Sequence, residues 1–165
     1  MTLSHSDFRV VTGGLNQPAV QALLANHQKR MAEQSPPESR HVLNLNGLKK
    51  PEITFWSLWK GVELAGCVAL KQGDLTWGEI KSMKVAPPFT GLGLGKLMLE
   101  YVVNQAKDRG YHALKLETGS MAYFEPARQL YRRFGFTECS PFGNYQADSN
   151  NVFMSLNLKH FNVQS

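Results

Sequence analysis

The sequence predicts one α/β domain with about six to seven strands, and three observations carry that prediction. A chain of 165 residues with 42% hydrophobic residues can build one substantial core but not two ordinary ones, so residues 1–165 are read as a single domain. Three apolar, β-branched or aromatic segments follow one another around tight turns at Lys60-Gly61 and Gly73-Asp74, which makes them antiparallel. Beyond them, segments with apolar residues at helical spacing alternate with short strands.

Each element has its own signal. Phe8 to Val11 reads as a short first strand, and Asn16 to Glu33 as a helix with Val20, Leu23, Leu24, His27 and Met31 on one face. The run Ser35-Pro-Pro-Glu-Ser39 breaks the chain, and Arg40 to Lys50 offers at most one helical turn. Ile53 to Trp59, Val62 to Lys71 and Trp77 to Val85 are the three antiparallel strands. From Leu94, the residues Leu97, Met98, Tyr101 and Val102 recur at helical spacing, and Gly110 stands where a helix cap is expected. Ala113 to Thr118 is a strand. Pro126 opens a helix carrying Ala127, Leu130, Tyr131 and Phe134 on one face, with Gly135 at its end. Phe136 to Cys139 and Val152 to Leu158 complete the sheet. There is no internal repeat, low-complexity tract or interdomain linker.

Composition excludes several classes. The charged fraction of 19% lies below the usual ~25%, against extensive disorder. No run of ~18 apolar residues occurs and the first residues lack a signal-peptide pattern, so a soluble, cytoplasmic protein with no membrane partner is expected. Cys67 and Cys139 sit in apolar surroundings with no CxxC pair and read as buried free thiols, and the five histidines lack metal-ligand spacing, so no metal is expected. The net charge of +5 suits either a polyanionic small ligand or a nucleic acid. Its basic residues are scattered, without a stripe interleaved with aromatics, so nucleic acid is not expected as a partner. Arg128 and Arg132, four residues apart, read as a solvated helix face.

The most informative stretch is Val85 to Met98, VAPPFTGLGLGKLM. Gly91, Gly93 and Gly95 remove Cβ atoms in front of a helix N-terminus, where converging amide hydrogens suit a phosphate. A triphosphate loop GxxxxGK[ST] would need glycine at Thr90 and a hydroxyl at Leu97, and the dinucleotide pattern GxGxxG would need glycine at Lys96 or Met98. Neither is present. The turn from Thr90 to Gly95 instead resembles the (Gln/Arg)-x-x-Gly-x-(Gly/Ala) loop of the GNAT superfamily of acyl-CoA-dependent N-acetyltransferases, with Thr90 where Gln or Arg is usual. A second segment, ARQLYRRFGF from Ala127 to Phe136, resembles that family's Ala-x-x-Leu-Tyr-x-x-x-Gly-Phe. The tail LETGSMAYFEPARQLYRRFGFTECSPFGNY is similar to its YsnE-like bacterial subgroup, and the matched segments run from Trp77 to Leu158.

The resemblance implies the GNAT fold: a single mixed, mostly antiparallel central sheet, flanked by helices on both faces and splayed where the cofactor enters. It implies acetyl-CoA as co-substrate, bound by main-chain groups of Met83, Lys84 and Val85 and by the loop Thr90, Gly91, Leu92, Gly93, Leu94, Gly95 and Lys96. It admits a homodimer. Acetyl transfer from a thioester to a small-molecule or peptide amine in a ternary complex needs the amine neutral, yet a lysine-like amine with a pKa of about 10.4 arrives charged. Glu79, six residues before Val85, stands where several family members have a glutamate base, and Tyr131 stands where the family's tyrosine hydroxyl meets the coenzyme A sulfur. Phe124 stands three residues before Ala127, where many members carry asparagine.

The acceptor has no motif. Ser35 to Lys50 and Ser140 to Asn151 are the segments expected to shape its pocket, with Glu63, Glu117, Glu125 and Asp148 as carboxylates for a cationic amine and His41 and His112 as other bases. Two other classes compete: a catalytically silent acyl-CoA-binding module, and a nucleotide-binding oxidoreductase using Glu117 for a ribose.

Overall fold

The computed structural model describes residues 5–160. The strands are β1 (Arg9–Thr12), β2 (Ile53–Lys60), β3 (Glu63–Gln72), β4 (Trp77–Val85), β5 (Ala113–Gly119), β6 (Thr137–Glu138) and β7 (Asn151–Asn157). The helices are α1 (Pro18–Gln34), α2 (Leu45–Leu48), α3 (Leu94–Asp108) and α4 (Glu125–Phe134). All seven strands form one sheet in the order β1-β2-β3-β4-β5-β7-β6. Every neighbouring pair is antiparallel except β4 and β5, whose parallel pairing needs the α3 crossover between them.

Helices cover both faces. A Cβ built on Gly66 of β3 would touch Met98 of α3, whereas the next pair, Cys67 and Lys84, points the other way, where Lys84 feels Arg30 and His27 of α1. The core is continuous through the sheet: Leu58, Ala69, Leu70, Leu99, Val102, Val103, Leu114 and Met154 are buried together with Val20 and Leu23 of α1. Local chemistry sets the ends of the elements. Pro18 occupies the first turn of α1, where its missing N–H costs nothing, and Gly110 takes φ +80° just beyond α3. The last predicted strand before β7 shortens to Thr137–Glu138, an exposed edge paired only to Ser155 and Met154.

Two irregularities shape the middle of the sheet. β4 pairs with β5 only from Trp77 to Glu79, after which β4 stays with β3 as far as Val85 while β5 stays with β7 as far as Gly119. The two strands therefore diverge into a wedge with Glu79 at its apex, as the predicted splay requires. In β4, Ser82 and Met83 stand against Val68 alone, a bulge in which Ser82 adopts φ +51°. A serine held in that left-handed conformation stores backbone strain beside the wedge, where bulges commonly redirect a strand.

Candidate active site

The glycine loop follows the outer end of β4. Gly91 and Gly93 both have φ +80°, which L residues rarely adopt, and a Cβ on Gly91 would meet nothing within 4 Å, so its outer surface is open. Gly93 caps α3, whose first-turn amides from Leu94 onward face out of the helix end with no carbonyl before them. Gly95 has a structural role as well: its missing Cβ makes room for the Leu130 side chain, 2.7 Å from where that atom would lie, and so lets α4 pack against α3. Thr90 turns its hydroxyl inward to Pro87 O at 3.0 Å. Lys96 is 66% exposed and leans toward Glu100, 3.9 Å away across one helical turn. The loop as a whole fits an extended diphosphate bound by main-chain donors.

α4 packs on the first turn of α3 through Leu130 over Gly95, and Tyr131 follows Leu130 in that helix. Tyr131 is 8% exposed, packs edge-on against Phe136 with ring centroids 5.9 Å apart, and its hydroxyl has no hydrogen-bond partner among the described residues. Burial pushes its pKa up to about 12, which keeps the hydroxyl protonated and able to donate. Arg128, expected on a solvated face, is instead 7% exposed. Its guanidinium donates to Gly119 O at 2.5 Å, Met121 O at 3.0 Å and Glu125 Oε2 at 2.5 Å, fastening α4 to the far end of β5. Phe124 fills the space over Gly119 with its ring, where a Cβ would collide with it.

At the apex of the wedge, Glu79 is 3% exposed. Its Oε2 accepts from Lys81 Nζ at 3.2 Å and from the Tyr145 hydroxyl at 2.7 Å, and Lys81 also donates to His41 O at 3.1 Å and Tyr145 Oη at 2.8 Å. Burial and the nearby Glu79 carboxylate push the Tyr145 phenol far up, so it too stays protonated. Across the wedge, Glu117 of β5 accepts from His41 Nδ1 and, at 3.0 Å, from Asn151 Nδ2. Burial raises the Glu117 pKa, while these hydrogen bonds and the charge of Lys81 oppose the rise.

The sequence singles out Glu79 and offers Glu117 and His41 only as unplaced alternatives. It misses Tyr145, Asn151 and Ser39, which lie in segments without periodicity or motif. An aromatic patch holds Tyr145 in place: Phe142 packs edge-on against Trp77, Tyr145 and Phe153 at 5.4, 5.3 and 5.7 Å, and Lys115 Nζ lies 4.9 Å from the Trp77 ring. Asp148 and Glu117 lie at the site, whereas Glu63, Glu125 and His112 do not contribute to this cluster. Cys67 is buried as expected, its thiol pushed up to about 12 by desolvation, while Cys139 is only partly buried. Among the described residues no helix is long and apolar enough to cross a membrane.

Comparison with known proteins converges on the same reading. The sequence profile of the Acetyltransferase (GNAT) family matches residues 20–136. The chain is 52% identical over 139 residues to the uncharacterized N-acetyltransferase YsnE of Bacillus subtilis, covering 84% of this chain and 92% of that protein. It is 46% identical over 151 residues to the uncharacterized N-acetyltransferase YedL of Escherichia coli, covering 92% and 95%. The crystal structure of a GNAT family acetyltransferase from Elizabethkingia anophelis with acetyl-CoA bound superposes with a TM-score of 0.67 at 19% identity, covering 93% of this chain and 99% of that one, a likeness of fold.

Proposed function

The chain belongs to the GNAT family of acetyltransferases, and from that premise we propose that it transfers the acetyl group of acetyl-CoA to a primary amine of a small molecule or peptide by direct attack in a ternary complex. The observation that carries this reading is the wedge between β4 and β5, unpaired beside Met83, Lys84 and Val85, with a polar cluster at its apex and a buried, protonated tyrosine on α4, the helix packed on the first turn of α3. Unpaired main-chain groups of β4 from Ile80 onward offer an extended chain the hydrogen bonds that β5 no longer makes. The loop from Thr90 to Lys96 would hold the diphosphate, chiefly through the amides of Gly91 to Lys96, with Lys96 adding a surface charge.

Tyr131 is the proton donor to the departing sulfur. Its raised pKa disfavours a free phenolate but suits a group that must arrive protonated and be restored within one turnover. The acceptor's proton is taken up within the polar cluster that Glu79, Lys81, Tyr145, His41 and Glu117 form at the apex of the wedge. Net positive charge on the chain favours a polyanionic co-substrate. One observation favours a catalytically silent binding module instead: Glu79 is enclosed, with Oε2 engaged twice. A free-thiol assay with acetyl-CoA against polyamines, amino acids, aminoglycosides and peptide N-termini separates the two. Amine-dependent thiol release, lost in Tyr131→Phe, is expected for the transferase. Thermal stabilisation by acetyl-CoA with no thiol release on any amine would establish the silent module.

A further inference from the structure

The two segments without motif close over the wedge and are stitched together. Ser39 Oγ donates to Asp148 Oδ2 at 2.5 Å, and Asn151 Nδ2 donates to Ser39 O at 3.0 Å. A small recess of about 60 Å³ is bordered by Met31, Val42, Glu79, Ser82 and Glu117. A wider cleft of about 570 Å³ is bordered by Glu38, Asn144, Tyr145 and Asp148. His41 is the residue common to both walls, and its side chain remains 28% exposed. An amine in the wider cleft can therefore reach the same ring that borders the recess beside Glu79 and Glu117.

We propose that His41, oriented by Glu117, is the catalytic base that receives the proton of the acceptor amine, an assignment that rests on the acetyl-transfer reading of the same site. Its Nδ1 is engaged by Glu117 Oε2 and lies 3.2 Å from Asn151 Nδ2; with Glu117 ionised the carboxylate only accepts, so in that state Nδ1 carries the hydrogen and the Asn151 amide donates to Glu117 instead. Nε2 has no partner among the described residues and keeps its lone pair for an incoming proton. Glu117 is itself steadied by Asn151 Nδ2 at 3.0 Å, which fixes the carboxylate that orients the ring. Glu79 contrasts with it: for Oε2 to act as a base, its bonds from Lys81 and Tyr145 must first break, at a site only 3% exposed. Glu79 is therefore a positioning residue that holds Lys81 and Tyr145, and through Lys81 the main-chain carbonyl of His41.

The proton count closes. The ammonium gives one proton to Nε2 of His41, and the freed nitrogen pair attacks the thioester carbonyl carbon. The C–N bond forms and the C–S bond breaks, leaving its electron pair on sulfur. Tyr131 protonates that sulfur and is restored, directly or through water, by the second proton of the nitrogen. One proton is released overall, passed from the imidazolium to water through the wider cleft.

The test compares His41→Gln, Glu117→Gln and Glu79→Gln in the thiol-release assay, using acetyl-CoA with the best amine of the panel across a pH series. Groups facing His41 are Glu117 of β5, Glu79 and Lys81 of β4, Tyr145 and Asp148 of the loop before β7, and Glu38 of the segment after α1. We expect His41→Gln to lower kcat about 100-fold, to leave the KM for acetyl-CoA unchanged and to abolish the fall in rate at low pH. Added imidazole restores turnover to His41→Gly. Nitrogen-15 shifts of the wild-type ring report Nδ1–H, and Glu117→Gln redistributes the tautomers. A folded His41→Gln enzyme that keeps both the wild-type rate and the low-pH fall overturns the assignment, as does Glu79→Gln alone abolishing that fall. Should His41→Gln not fold, unchanged pH dependence in Glu117→Gln together with an Nε2–H tautomer in the wild type overturns it. If wild-type protein releases no thiol with any amine while its ring still reports Nδ1–H, the acetyl-transfer reading fails instead and takes the base with it.

Discussion

Acidification from about pH 7 to about pH 5 sets the folded and unfolded chains in competition for a proton at His27. The ring lies on α1 above β4, largely withdrawn from water, and its pKa is lowered from 6.5 to about 4, first by burial and second by the charge of Lys84. The unfolded chain takes up this proton near its ordinary value, whereas the folded chain takes it up only near 4. Between those limits the unfolded state binds more protons, so stability is intact above pH ~6.5 and declines as pH falls toward ~4. A gap of about 2.5 pH units corresponds to a ceiling of ~3.4 kcal/mol, of which ~2 kcal/mol is already lost at pH 5; partial exposure trims this to between ~1 and ~2 kcal/mol. Urea unfolding of wild type and His27→Gln at both pH values isolates the contribution, because other titrating groups cancel in the difference. The variant should lose ~1 to ~2 kcal/mol less than wild type on acidification. Equal losses in the two proteins would refute the assignment of a buried, neutral ring to His27.

Three further outcomes follow from the geometry. Tyr131→Phe should lower kcat by at least ~100-fold while acetyl-CoA affinity, read by calorimetry, changes little; equal losses in both would mean that the ring only packs. Gly91→Val forces a β-branched residue to φ +80° and should cost ~1 to ~2 kcal/mol and weaken acetyl-CoA binding, whereas Gly95→Ala displaces only the flexible tip of Leu130 and should leave the melting temperature nearly unchanged. Arg128→Leu leaves the carbonyls of Gly119 and Met121 without their donor, while the exposed Glu125 keeps Gln129 and Arg132, and should cost ~1 to ~3 kcal/mol in chemical denaturation, against the near-neutral effect expected of an exposed arginine.

Where side chains repeat with a clear period or where a turn demands glycine, local pattern and final structure agree. The strand from Trp77 to Val85 keeps its predicted bounds, the hairpin turns at Gly61 and after Gln72, and helices α3 and α4 begin and end beside the glycines and proline that mark them. The glycine loop was legible for the same reason: a positive φ leaves a residue-type record at Gly91 and Gly93. Gly95 carries a second meaning that the sequence does not separate, because close helix packing leaves the same record as close ligand approach. Arg128 was misread because helical spacing says which residues share a face, not what covers it. Main-chain carbonyls from β5 and the turn after it cover this one.

The sequence by itself determined the element order, the antiparallel run into the glycine loop and the family, since these depend on local dihedral preference, periodicity and short motifs. Only the tertiary structure decided that Glu79 would be enclosed by Lys81 and Tyr145, and that His41 would meet Glu117 in a wall common to two cavities. Those pairs join residues 76 and 66 positions apart in the chain, and the side chains carry no periodic signal of their own. Their meeting is set by how two irregular segments settle over diverging strands, a balance of aromatic packing and buried hydrogen bonds that exists only once the sheet has formed.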